Sequence, residues 1–234
     1  WTTFMTGANP GRHGLFDFAR KRPGRYAVEF ANAGHRRAPT VFRLLSAGGR
    51  RVGAMNLPAT YPPEALNGFQ IGGFDSPLAT SIGPSFVHPV ELYNVIVRRF
   101  SGFYAVAPFQ ESRIGRGWHA KALPALLDNL EKKIAVAEWL LSQEPWDCFM
   151  ALFGEADTVS HHYWLYHDSA SPRHDPSRAA ALGGAIETVY RRLDAAVGRL
   201  RDAAGPERAT LVLSDHGFGG TGLGVVHWNR WLAE

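Results

Sequence analysis

Trp146-Asp-Cys-Phe-Met-Ala-Leu-Phe153, followed at once by Gly154-Glu-Ala-Asp-Thr-Val-Ser-His-His-Tyr-Trp164, decides how this chain of 234 residues folds. The first eight residues form an apolar run of strand length, bounded by Pro145 and Gly154, which predicts a buried strand and then a turn. Upstream, Leu123, Leu126, Leu127, Leu130, Ile134, Ala137, Leu140 and Leu141 recur at spacings of three and four, the mark of one apolar helix face. Downstream, Leu182, Ile186, Val189, Tyr190, Leu193, Val197 and Leu200 repeat the pattern. Gly205-Pro206 closes that helix, and Ala209 to Leu213 reads as the next strand. Nearer the start, residues 39–48 read as a short helix from Pro39 to Gly48, and Val52 to Leu57 as a strand ending at Pro58. Strands alternating with helices predict an α/β fold, a mainly parallel sheet with helices on both faces.

Size and composition fit one such domain spanning 1–234. The hydrophobic share of 45% is enough for a core, and the charged share of 20% argues against disorder. From 58 to 117 the text is rich in Gly, Pro and aromatic residues. That reads as an irregular insertion, either a lid over a substrate or a decorated edge. The net charge of +4 comes from basic doublets scattered among acids, a solvated surface with no module for sequence-specific nucleic acid. The single cysteine, Cys148, excludes an internal disulfide and reads as a small buried hydrophobe. No run approaches the ~18 apolar residues of a membrane span. No signal peptide is visible at residue 1, but the start of the chain reads as cut, so localisation stays open with a cytoplasmic setting slightly favoured. The chain opens on Trp1 and ends at Glu234 within a helical pattern, so it reads as an internal piece of a longer protein and an incomplete domain. Its oligomeric state is not legible.

Two clusters carry chemistry, and each falls just after an expected strand: Gly154 to Trp164, and Ser214-Asp-His-Gly-Phe-Gly-Gly220. Ligands of open α/β sheets bind beyond the carboxyl ends of the strands, so both clusters belong at one rim. Asp157 and His161 are four apart, on one face of a helical turn. Asp215 and His216 can both turn inward if a tight turn at Gly217 follows the strand. Carboxylate oxygen with imidazole nitrogen suits zinc, and manganese less selectively. Two such pairs suggest two divalent ions placed to clamp the attacking and leaving oxygens at phosphorus. Taken singly, each cluster has a plain reading: a solvated helix turn for the first, an Asx turn for the second. Their combination points to a site.

Thr6-Gly-Ala-Asn-Pro-Gly-Arg-His-Gly14, Asp157-x-x-x-His161 and Ser214-Asp-His-Gly217 together resemble, in order, three blocks of the type I phosphodiesterase/nucleotide pyrophosphatase family, a branch of the alkaline phosphatase superfamily. Asn56-Leu-Pro-Ala-Thr-Tyr-Pro-Pro63 is similar to a further segment of its prokaryotic members. The resemblance implies an alkaline-phosphatase-like fold and a two-metal hydrolase, typically with zinc, acting on a small phosphoester or nucleotide-like substrate at a phosphodiester or pyrophosphate bond. It gives Asp157 and His161 to one metal and Asp215 and His216 to the other.

By the family spacing, the Thr or Ser nucleophile falls upstream of Trp1. Thr2, Thr3 and Thr6 are disfavoured for that role, and the piece alone is expected to be inactive. A third ligand is expected beyond Glu234, with His227 a weak substitute. Asn56, Thr60 and Tyr61 are weak candidates for substrate contact. Two other readings stay open: a sulfatase or phosphonate monoester hydrolase branch, and a degenerate domain that only binds. Sulfatases need a Cys or Ser converted to formylglycine, and Cys148 in a core strand does not serve.

Overall fold

A computed structural model describes residues 1–73, 82–104, 115 and 117–233. Two short helices, α1 (Thr2–Thr6) and α2 (Pro10–His13), open the chain. A two-stranded antiparallel ribbon follows, β1 (Ala19–Lys21) with β2 (Val28–Phe30). Then come α3 (Val41–Ala47), β3 (Val52–Met55), β4 (Gly68–Ile71), β5 (Val87–His88) and α4 (Glu91–Arg99). The second half holds α5 (Trp118–Ser142), β6 (Cys148–Ala151), α6 (Glu155–His167), α7 (Pro176–Leu182), α8 (Ala185–Ala204) and α9 (Trp228–Ala233).

The main sheet runs β5-β4-β3-β6. β3 is parallel to both neighbours, and only β5, against β4, is antiparallel. Alternation along β3 sorts side chains to the two faces. Val52 and Ala54 pack with Met5 of α1 and Phe42 of α3, whereas Met55 packs with Ile96 of α4 and with Val136, Ala137 and Leu140 of α5. The sheet is therefore covered on both sides, as the alternating sequence pattern requires. A third cluster lies beside the sheet, where Leu126, Leu130 and Ile134 of α5 meet Val159 and Tyr163 of α6 and Ile186 and Val189 of α8.

Helix α3 starts at its N-cap Thr40, whose hydroxyl accepts the Arg43 N–H, one residue past the expected Pro39 start. The expected helix from Leu182 breaks at Gly183-Gly184 into α7 and α8. Half of the main sheet comes from the stretch expected to be irregular, since β4, β5 and α4 all lie between 58 and 117. A lid role for 74–81, 105–114 and 116 falls outside the described residues.

The strand expected at Ala209–Leu213 is not formed. Leu211, Val212 and Leu213 stand 80%, 69% and 42% exposed and have no strand partner among the described residues. An apolar run becomes a strand only when a neighbour accepts its ladder hydrogen bonds, and among the described residues β6 pairs on its β3 side alone.

Candidate metal centre

β6 delivers the chain to the carboxyl rim of the sheet, and α6 starts there with Glu155 and Asp157 in its first turn. One helical turn on, His161 lies over Asp157, its Nε2 3.5 Å from Asp157 Oδ1. The segment 214–222 folds back onto α6 although no strand precedes it. Phe218 meets the His161 ring edge-on at 4.8 Å and the Trp164 ring at 5.3 Å. Gly220 lies so close to Ser171 and Trp164 that a side chain there would collide, and the Arg173 Nε donates to the Gly222 carbonyl at 2.9 Å.

This docking brings His216 Nε2 to 4.0 Å from Asp157 Oδ1 and 3.7 Å from Asp215 Oδ2. The four expected ligands, Asp157, His161, Asp215 and His216, thus form one run of neighbours, with Asp157 Oδ1 facing both imidazoles. All four are well exposed to solvent, their side chains 39% to 61% accessible.

The donor set fits divalent cations in kind and in spacing. Two ligands of a tetrahedral zinc ion, each ~2.1 Å from it, lie ~3.4 Å apart. The pairs Asp157–His161 and Asp215–His216 stand at 3.5 and 3.7 Å. A charge-assisted hydrogen bond would be shorter, ~2.7–2.9 Å. The His216 Nδ1 is 2.8 Å from the Gly217 carbonyl, which can only accept, so Nδ1 carries the proton and Nε2 is left with its lone pair available. That bond, then Asp215 and then Asp157, raises the His216 pKa above the ordinary value. Among the described residues no three His, Cys, Asp or Glu side chains close on a single point as a cage. The four therefore make two pairs, and each ion would need further donors.

Other histidines sit elsewhere. His162 tilts against Trp118 at 5.1 Å, away from the pairs. His227 precedes α9 with its carbonyl accepting from Arg230 and Trp231, and its ring has no hydrogen bond or ion pair among the described residues. Tyr163 is core, its hydroxyl donating to the His119 carbonyl at 2.6 Å, and burial pushes its pKa up to about 12.

His13, the last residue of α2, is buried. Its Nδ1 accepts the Leu15 N–H, so Nε2 carries the proton and donates to Thr3 Oγ1 at 3.0 Å. It cannot also take a proton from Thr3. Thr6 is tied by its own turn, donating to the Thr2 carbonyl and accepting from Ala8. Neither hydroxyl is an activated nucleophile. Cys148 is half-buried in β6, and burial pushes its pKa up, which keeps it a thiol.

His13 yields a pH prediction. Burial, helped by nearby positive charge including Arg36, lowers its pKa, so the folded state holds it neutral while an unfolded chain protonates it near pH 6.5. Its contribution is complete above that pH and is lost as pH falls towards the lowered folded value. The urea midpoint should drop from pH 7.5 to pH 5.5, and less so in His13→Gln. His119, also lowered by burial, keeps part of the slope.

The expected substrate contacts are mostly interior. Asn56 is 4% exposed, with its Oδ1 accepting from the Tyr104 hydroxyl at 2.7 Å and its Nδ2 donating to the Leu152 carbonyl. Thr60 is 1% exposed, donating to the Leu57 carbonyl and accepting from Gly73 N–H. Both are corrected to structural roles, because burial and internal bonds occupy them. Tyr61 is partly exposed and stacks on Phe86 at 4.2 Å. The clamp of Phe218 on His161 and Trp164 is a tertiary contact, and its signal in the sequence is the aromatic just after Asp215-His216-Gly217.

Among the described residues no helix is long and apolar enough to cross a membrane. No curated protein and no solved structure matches this chain. The family model described as type I phosphodiesterase / nucleotide pyrophosphatase matches residues 1–234. That match assigns the chain to a phosphodiesterase/pyrophosphatase type of hydrolase with a small phosphoester substrate. Because the match runs the length of a mostly parallel α/β sheet whose rim gathers the paired acids and imidazoles, the chain belongs to the type I phosphodiesterase / nucleotide pyrophosphatase family.

Proposed function

We propose that this chain supplies most of the metal site of a two-metal hydrolase that cleaves phosphodiester or pyrophosphate bonds. The observation that carries the reading is Asp157 Oδ1 lying 3.5 Å from His161 Nε2 and 4.0 Å from His216 Nε2, with Asp215 beside the latter. Asp157 and His161 would hold one divalent cation, and Asp215 and His216 the other. Zinc suits oxygen and imidazole donors best, with manganese second. Such a pair supplies charge neutralisation at the phosphoryl oxygens and lowers the pKa of an attacking hydroxyl. Thr3 and Thr6 are engaged in the local hydrogen bonds of their own turn and do not supply that hydroxyl.

Helix α6 carries the first pair on one face, four residues apart. The second pair rides on a turn fastened by Phe218 and Gly220, and so its geometry depends on that docking.

The test uses the longest natural polypeptide that contains residues 1–234, loaded with zinc. About two zinc equivalents and faster hydrolysis of a p-nitrophenyl phosphodiester than of the monoester or the sulfate support the reading. A sulfate preference would move the protein to the sulfatase branch, and absence of zinc uptake would make it a binding domain.

A further inference from the structure

Beneath the exposed pairs lies a buried polar series that the proposed reaction does not use. Lys133 of α5 and Glu155, the first residue of α6, are 4% and 2% exposed, with Lys133 Nζ 2.6 Å from Glu155 Oε1. The second carboxylate oxygen, Oε2, is buried with no hydrogen-bond partner among the described residues. The Lys133 ammonium lies 5.7 Å from the centre of the Tyr104 ring, and the Tyr104 hydroxyl continues to Asn56 and from there to the Leu152 carbonyl. The series joins the ends of β3 and β6 to α5 and to the first turn of α6.

Stability does not account for it. A buried ion pair gives back in attraction roughly what desolvation costs, and apolar side chains of similar volume commonly hold a fold as well or better. What a buried pair supplies is direction, because only one setting of the two side chains satisfies it. Gly154, at the start of α6, makes no side-chain cap bond, so that first turn has no anchor of the ordinary kind. Asp157 lies two residues after Glu155 in that turn.

We propose that Lys133 and Glu155 are positioning residues: their buried pair fixes the first turn of α6 so that Asp157 faces His161 and the docked 214–220 turn. The proposal rests on the metal-site reading above. Its test is the double variant Lys133→Met/Glu155→Met beside the two single changes. Each single change strands one buried charge and should lower the melting temperature by about 10 °C, and the double should recover most of that.

Despite the recovered melting temperature, the double variant should bind zinc at least ~10-fold more weakly in chelator competition. Without metal, amide exchange across 156–161 should be at least ~10-fold faster than in the parent, while Val189 in α8 is unchanged. A double variant with parental melting and parental exchange across 156–161 would overturn the proposal. If the parent binds no zinc, the metal-site reading fails and the exchange result alone decides positioning. If the double variant does not fold, Glu155→Asp keeps the charge but shortens its reach by one methylene. It should weaken zinc binding or speed exchange across 156–161 severalfold, and parental behaviour in both would sink the idea.

Discussion

Asp157→Asn is expected to weaken zinc binding at least ~100-fold in chelator competition while leaving the metal-free melting temperature within about 3 °C of the parent. The asymmetry follows from where Asp157 sits. Its Oδ1 faces both imidazoles, so its charge serves two neighbours at once. Asparagine keeps the shape and removes the charge that an oxygen ligand to zinc requires. The side chain is 50% exposed, and its pairings span 3.5 and 4.0 Å in solvent, where such pairs contribute about 0–1 kcal/mol. Position in the first turn of α6 adds a helix-dipole term of about 0.3–1 kcal/mol. A residue whose loss barely moves folding yet removes metal affinity is there for the metal. Affinity within threefold of the parent would remove the central support of the proposed function.

The halves of the site differ in how plainly the sequence announces them, and the fold shows the same contrast. Leu126, Leu130, Ile134, Ala137 and Leu140 are all buried, as the helical spacing predicts, because packing one stripe of a helix against a core is a local property of the sequence. Cys148–Ala151 forms a strand within the run 146–153 for a similar reason, bounded by Pro145 and Gly154. Ala209–Leu213 carries as strong an apolar signal and forms none. Apolar residues specify a wish for burial, whereas a strand also needs an adjacent edge, which is not a local property.

β4 escapes notice from the opposite side. Its Gly68-Phe-Gln-Ile71 buries Gln70 completely, with the Gln70 Oε1 accepting the Glu64 N–H, so a polar residue occupies what periodicity reserves for an apolar one. Lys133 is legible in retrospect. It falls on the stripe of Leu130 and Ala137, and a lysine at a core position of a helix points to a buried acid facing it. Asp157 and His161 needed only helical spacing to be paired. Their meeting with His216 depends on Phe218 and Gly220 docking against α6, a tertiary contact that the spacing of the motifs does not encode.

Gly68→Ala should destabilise the protein by about 3–5 kcal/mol, and Gly198→Ala should stabilise it by up to about 1 kcal/mol, though both add one methyl group. Gly68 opens β4 opposite Val52 of β3 with φ +143, a conformation that side chains rarely adopt. A Cβ there falls on the Val52 carbonyl oxygen and within 2.7 Å of the Trp146 ring, so either the β3–β4 register or the indole has to move. Each can move only at a cost, since Trp146 is packed edge-on to Phe69 at 5.2 Å and its Nε1 donates to the Leu140 carbonyl. Gly198 lies inside α8 with ordinary helical backbone and nothing within 4 Å of its added carbon, so there the methyl only restricts the unfolded chain. Urea unfolding of the two variants should separate them by about 3–6 kcal/mol, with Gly68→Ala below the parent and Gly198→Ala at or above it. The loss in Gly68→Ala should carry over to zinc affinity, because β3 leads directly into Asn56, whose bonds to Tyr104 and Leu152 tie it to the rim from which α6 departs. Equal stabilities for the two variants would mean that β4 does not hold β3 in this register, and the rim geometry argued from it would lose its foundation.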